Sequence, residues 1–392
     1  MKLYGDIKRL VRLALCVGIL FNLQFSIFNY AEGQGLWHKF VNWVKEGNTF
    51  DSTYIYQRPA RFQVSLDGSL QHVSVDLRSD FAMTCYERDD EGNITATAEV
   101  PSTVSSSLSE NINGGLGMGF AFGKLGLGFG LITWPANAAT TSAANIGYQG
   151  HKWGIGLKYY GISQYVSNTL TVGSDSSQWY SQREFLSNNP CTVRRLAVDA
   201  YWSISRNRFA YTAAYKCDMV QRRSAGSMLI CAGLVFSGLE HELGDVMFSL
   251  SRFNGYTSFQ SSVGAGYSHN FVFKHRDPVG LGSKGLFNLT LNLTIMPMII
   301  YANNINATLV DGGDKVKITG DPAPNINGSA ALGCSVGRWF FALQFRHNMA
   351  YFTSAEPMSA SELGLEGGDV DNVRVSGLMQ DWRLSAVAVV NF

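Results

Sequence analysis

Between positions 288 and 295 the chain reads Asn288-Leu289-Thr290-Leu291-Asn292-Leu293-Thr294-Ile295. Leucine or isoleucine at every odd position and asparagine or threonine at every even one is a period of two. That is the mark of a β-strand, whose successive side chains point to opposite faces. One face is greasy and the other carries hydrogen-bonding groups. Working outward, the device recurs. Leu116, Met118, Phe120 and Phe122 alternate with Gly115, Gly117, Gly119 and Ala121; after Gly123-Lys124, Leu125, Leu127, Phe129 and Leu131 alternate with Gly126, Gly128 and Gly130. This predicts a tight hairpin with a nearly bare second face. Further rows are Trp153, Ile155, Leu157 and Tyr159; Leu196, Val198, Ala200, Trp202 and Ile204; Phe209, Tyr211, Ala213 and Tyr215; and Phe341, Leu343 and Phe345. A soluble sandwich also has one dry and one wet face per strand. Large aromatic rows set opposite glycine or small polar groups, over so many strands, point instead to a barrel with an apolar exterior and a wetter bore. The rows approach the roughly 9 to 11 residues that a membrane-crossing strand needs.

Composition fits the same reading. The 392 residues hold 41 Gly and 24 Phe against 9 Pro, with 16% charged residues. Hydrophobic content is 46%, yet it is not gathered into successive runs of about 20 residues, which excludes a polytopic helical protein. A net charge of +1 leaves no electrostatic footprint for nucleic acid. Cys16, Cys85, Cys191, Cys217, Cys231 and Cys334 show neither CxxC spacing nor toxin-like density, so they read as structural thiols. No HExxH or Cys/His cluster occurs, and His269 and His275 sit on a strand and its end, so no metal is expected. No helix follows Gly115, Gly117 and Gly119 to make a nucleotide loop, and no GxSxG elbow occurs. No cofactor and no catalytic residues are expected.

Residues 1–31 read as a signal peptide: Lys2, Lys8, Arg9 and Arg12 precede an apolar stretch from Leu13 to Phe28, with Ala31 near its end. Leu15 before Cys16 argues against lipidation. Residues 32–58 are expected to form a periplasmic segment in which Trp37, Phe40, Val41 and Val44, at helical spacing, make a short amphipathic helix that docks on the barrel's periplasmic rim, the preferred placement, or lies on the membrane surface. The barrel would then occupy 59–392. Its last strand puts Trp382, Leu384, Ala386, Ala388, Val390 and Phe392 on one face. A terminal aromatic there resembles the signal read by the bacterial barrel-assembly machinery. Trp382 and Phe392 are accordingly the expected assembly signal, with that machinery and outer-membrane lipid as partners.

The fold class that follows is all-β, a transmembrane antiparallel up-and-down barrel. Both barrel ends should lie in the periplasm, with short turns there at Gly123-Lys124, Gly150-His151 and Arg206-Asn207, and external loops at 164–192, 302–324 and 353–380. With Val246, Phe248 and Leu250 as an extra strand, the count falls at about 12 to 16. The alternation directs Lys158, Arg195, Asp199, Lys216, Asp218, Arg346 and Arg383 inward. They read first as a salt-bridge network holding the wall, and second as a mildly anion-attracting path, since five of the seven are basic.

Several stretches resemble an uncharacterised family of Gram-negative outer-membrane barrel proteins, domain of unknown function 4421. They are Phe50-Asp51-Ser52-Thr53-Tyr54-Ile55 leading to Arg58-Pro59, the hairpin from Gly115 to Gly130, the turn Gln221-Arg222-Arg223-Ser224-Ala225-Gly226-Ser227, and the run Asn288 to Met298 containing Met296-Pro297. The final Val390-Asn391-Phe392 departs from the Tyr-Arg-Phe type of ending. The resemblance implies an outer-membrane address and a barrel fold, and it carries no substrate. Three roles are therefore expected in competition: a channel or transporter for small solutes, a structural or surface-display barrel acting through its loops, and, with least support, an outer-membrane enzyme.

Overall fold

The computed structural model describes residues 50–58, 62–109, 113–122, 125–134, 141–150, 152–164, 166–173, 181–186, 191–205, 207–240, 253–279, 283–309, 315–355, 357 and 370–392. The expected signal peptide, the amphipathic helix and the strand around Val246 to Leu250 lie outside these residues.

In chain order the strands begin with β1 (Ile55–Gln57), β2 (Gln63–Arg88), β3 (Ile94–Ser109), β4 (Asn113–Phe122), β5 (Leu125–Trp134) and β6 (Thr141–Gln149). There follow β7 (Trp153–Gln164), β8 (Val166–Val172), β9 (Ser181–Leu186), β10 (Cys191–Ser203), β11 (Met219–Gln221) and β12 (Ala225–Glu240). The last six are β13 (Phe253–Arg276), β14 (Phe287–Leu309), β15 (Lys315–Gly320), β16 (Ala323–Val336), β17 (Trp339–Thr353) and β18 (Val370–Asn391).

Twelve of them, β2, β4, β5, β6, β7, β10, β12, β13, β14, β16, β17 and β18, form an antiparallel ring. It closes where β18 pairs with β2, from Asn391 opposite Gln63 to Val370 opposite Met83. Closure removes the sheet edge, so in this ring the backbone donors and acceptors of each strand meet a neighbour on both sides, as a lipid environment demands. The count of twelve falls within the expected 12 to 16. Strand β2 changes partner along its length: Gln63 to Gln71 pair with β4, whereas Ser74 to Arg88 pair with β3, which continues through β8 to β9 as a flange beside the barrel mouth.

The alternating rows of β4, β5, β7, β10, β14 and β17 face outward as predicted, and β12 and β13, which the alternation left out, add Phe236 and Phe271. Leu116, Phe129, Ile155, Trp202, Phe236, Phe271, Leu293, Ile295, Phe341 and Leu343 are all exposed on the outer surface. Turns at one rim are short, among them Gly337-Arg338 between β16 and β17, where Gly337 takes φ +55°, a conformation that favours glycine.

One predicted strand is absent. Phe209 to Tyr215 do not continue the wall; Tyr211–Ala214 is a 3-10 turn, and the link from β10 to β12 runs over 204–224 instead of turning at Arg206-Asn207. The physical reason lies in the second face of the segment. Opposite Phe209, Tyr211, Ala213 and Tyr215 stand Ala210, Thr212 and Ala214, so neither row is solvating, and the 3-10 turn buries Thr212, Ala213 and Ala214 alike.

Candidate functional site

The link from β10 to β12 folds into the bore. Its β11 pairs antiparallel with β1, Ile55 opposite Gln221 and Gln57 opposite Met219. Residues 50–58 thus join it inside the barrel end, where they and the link together make a plug. Ile55, Ala210, Ala213 and Met219 form its own apolar centre. Phe209 packs on Leu229, Cys231 and Met298 of the wall, and Ala214 and Tyr215 pack on Ala331. Burying a side chain the size of Phe209 contributes about 1.5–3 kcal/mol.

The polar row of β14 is what the plug rests against. Asn288, Thr290 and Asn292 are almost completely buried. Asn288 Nδ2 donates to the Gln221 carbonyl at 2.7 Å, and Asn270 Nδ2 of β13 donates to the Ala210 carbonyl at 2.8 Å. The Tyr215 hydroxyl donates to Asn292 Oδ1 at 3.0 Å and lies 2.8 Å from Ser329 Oγ on β16; Gln344 Nε2 of β17 donates to the Tyr215 carbonyl at 3.1 Å. Asn292 Nδ2 also donates to Ser268 Oγ and Asn270 Oδ1, and Thr290 and Thr294 donate to the asparagine two positions before each. Buried polar groups must be paired, and here the pairing fixes the plug to four adjacent strands.

Gln221, with 0% of its surface exposed, is the centre of the arrangement. Its Oε1 accepts from the Ala210 N–H at 3.0 Å and from Asn270 Nδ2 at 3.2 Å. Its Nε2 donates to the carbonyls of Arg208 at 2.7 Å and Arg223 at 2.9 Å, with that of Tyr54 at 3.2 Å. At the rim the Arg222 N–H donates to the Tyr54 carbonyl at 2.7 Å. The Arg222 side chain reaches the Ser52 carbonyl and pairs with Asp277 at 2.7 Å. A hydrogen bond from His275, aided by the Arg222 charge, holds the Asp277 carboxyl below the usual carboxylate range. Arg58 donates to Cys217 Sγ at 3.2 Å and to the Gly337 carbonyl at 3.0 Å, and burial pushes the Cys217 thiol up to about 11.

The glycine rows make room for this filling. A Cβ at Gly333 would lie 2.9 Å from the Ala214 backbone, and one at Gly126 would lie 3.3 Å from Lys216 Nζ. Farther along the wall, Gly117 admits Asp67 and Gly128 admits Asn145, each too close for a methyl group.

Of the seven charges expected on inner strand faces, five are on strands and two are not. Lys216 and Asp218 belong to the plug, because the segment that carries them is not a strand. Lys158 Nζ pairs with Asp199 Oδ2 at 2.5 Å, and Arg383 pairs with Asp67 at 2.6 Å. Arg346 lies over the Tyr215 ring at 5.7 Å. Arg195 reaches across the bore: β10 and β18 stand on opposite sides of the ring, yet Arg195 lies 3.8 Å from Asp381 and 3.3 Å from Met379 Sδ, and stacks over Tyr160. Two structures therefore obstruct the bore, the plug at the short-turn rim and the Arg195 brace beyond it. Sequence reasoning missed Gln221, Asn270, Asn292 and Gln344 as plug contacts. The available signal was the pairing of long amides with an internal segment lacking a solvating face. Among the described residues no metal-holding group occurs, Trp382 lies on the outward row of β18 and exposed Phe392 follows its end, and Cys85, Cys217, Cys231 and Cys334 are free.

One family model, Domain of unknown function (DUF4421), matches residues 82–360. A comparison with curated proteins gave no match. Among solved structures the chain is similar to the outer-membrane protease OmpT of Escherichia coli, at 9% identity over 87% of this chain and 100% of that one, TM-score 0.41. It is also similar to the translocator domain of the autotransporter NalP from Neisseria meningitidis, at 10% identity over 92% and 95%, TM-score 0.25. A third is the Ralstonia pickettii toluene transporter TbuX, at 8% identity over 83% and 90%, TM-score 0.23. Likeness at this level concerns the fold alone.

Proposed function

Since the chain belongs to the family described as Domain of unknown function (DUF4421), we propose that it is an outer-membrane barrel which is stoppered at rest and acts by presenting its mouth and flange to a partner. It does not act as an open pore. The observation that carries this reading is the anchorage of the plug to β13, β14, β16 and β17 through Asn270, Asn288, Asn292, Ser329 and Gln344. A passive channel would not bind its own stopper with amides on three strands and a hydroxyl on a fourth, each bond worth about 0.5–1.5 kcal/mol net. The short-turn rim is read as periplasmic and the flange as external, because barrels of this class have short turns inside and long loops outside. Biogenesis on this reading runs through the barrel-assembly machinery, with Trp382 and Phe392 as the signal.

The test is conductance of the refolded protein in planar bilayers. Wild type should give no discrete steps, whereas a variant with 207–222 replaced by a short turn and Arg195→Ala should conduct. Stable ohmic steps from the unmodified protein would overturn the reading. A second reading, solute passage after plug displacement, is favoured by the half-exposed Lys158–Asp199 pair, which keeps two charged side chains accessible within the bore. Steps that appear only when a solute is added would select it.

A further inference from the structure

The outward row of β13 runs Phe271 and Phe273, then, past a bulge, Lys274 and Arg276. Lys274 stands opposite Leu289 and Arg276 opposite Phe287, so both cations face away from the bore immediately below the greasy belt. Lys274 Nζ lies 5.6 Å over the Phe287 ring. The neighbouring turns add two exposed cations, Lys284 before β14 and Arg338 before β17, beside exposed Val279 and Trp339. Asp277, the nearby carboxylate, is taken by Arg222 and His275 at 2.7 and 3.0 Å. Among the described residues, none of the four cations has an acidic partner. The opposite end of the wall is different: outward Asp80 pairs with Arg78, and outward Asp76 takes a hydrogen bond from Ser107.

Apolar and aromatic side chains ending in unpaired cations at one level are the chemistry of a membrane interface, where long basic side chains reach out of hydrocarbon toward phosphates. From this we infer that Lys274, Arg276, Lys284 and Arg338 form a site for the headgroup of an anionic phospholipid in the leaflet at the plugged rim. The inference rests on the membrane reading above. Asp277 and the plug lie directly behind the site, so an occupied headgroup would sit against the latch that Arg222 makes.

The experiment uses the full refolded chain in phosphatidylcholine vesicles containing a trace of spin-labelled phosphatidylglycerol or spin-labelled phosphatidylcholine. Electron paramagnetic resonance reads the motionally restricted fraction. The wild type should restrict phosphatidylglycerol preferentially at low salt, with the preference fading at high salt. Single K274Q, R276Q, K284Q and R338Q changes should each lower it by up to roughly five-fold, and the quadruple variant should abolish it. K317Q, on β15 toward the other end, should change nothing. Equal restriction of both labels by wild type, or a preference surviving the quadruple change in a protein with intact heat-modifiable mobility, overturns the site alone. Restriction of neither label overturns the membrane reading and the site with it.

Discussion

Replacing Gln221 with alanine should free the plug. The change strands the Ala210 N–H and the carbonyls of Arg208 and Arg223, which Gln221 contacts at 3.0, 2.7 and 2.9 Å. Asn270 keeps a partner, because it also donates to the Ala210 carbonyl. Each buried polar group left without a partner costs about 1–3 kcal/mol. Water at the rim can reach the two carbonyls, so the lower part of the sum applies, about 3–5 kcal/mol. The plug's opening equilibrium should then shift by on the order of a hundred- to several-thousand-fold, while the wall, whose strand-to-strand ladder is untouched, stays folded. Hydrogen exchange followed by mass spectrometry reads this directly: amides of 209–221 should lose protection in Gln221→Ala while those of β14 and β17 keep it. Protection of the segment within three-fold of wild type would refute the claim that Gln221 holds the plug.

Gly333→Val should act from the wall side, since its first side-chain carbon would already lie 2.9 Å from the Ala214 backbone; cysteine labelling at an introduced Ala213→Cys should become faster. Asp277 titrates below the ordinary carboxylate range, so its contribution is fully present above the unfolded value and is lost as pH falls through the folded one; protease nicking near Arg222 should rise only under acid conditions, and Asp277→Asn should make it pH-independent. Asp199→Asn should leave thermal stability within about 1 kcal/mol, because the Lys158–Asp199 pair is half-exposed, yet shift the ion selectivity of a plugless variant toward anions.

The wall was legible because a lipid-facing strand has a single pattern, large outside and small or polar inside, and Asn288 to Ile295 or Leu116 to Leu131 display it without interruption. The plug was not legible for the same reason. Phe209, Tyr211, Ala213 and Tyr215 imitate the outward row, and periodicity scores one face without asking what the other can touch. The bore charges were legible as pairs only in part: alternation gives a face, but it cannot tell that Arg195 crosses to Asp381 on the far side of the ring. The segments quoted for the family resemblance did carry the missing information. The leading stretch through Tyr54 and Ile55 and the turn beginning at Gln221 meet in the structure as β1 against β11.

The wall is of unequal height. Strands β2, β13, β14 and β18 have 26, 24, 23 and 22 residues, whereas β4, β5 and β6 have 10, 10 and 9. At ~3.3 Å per residue the stretch of β2 from Ser74 to Arg88 alone rises on the order of 50 Å along its own axis, with Asp76, Arg78 and Asp80 on its outer side. Beside that stretch β3 takes over the edge of β2 that β4 occupies lower down, so the flange of β3, β8 and β9 carries the wall on above the short strands. A visitor would meet the tall wall of β2 and β3 well before it reached the plug, so that reach, and not bore width alone, becomes a selective property in its own right.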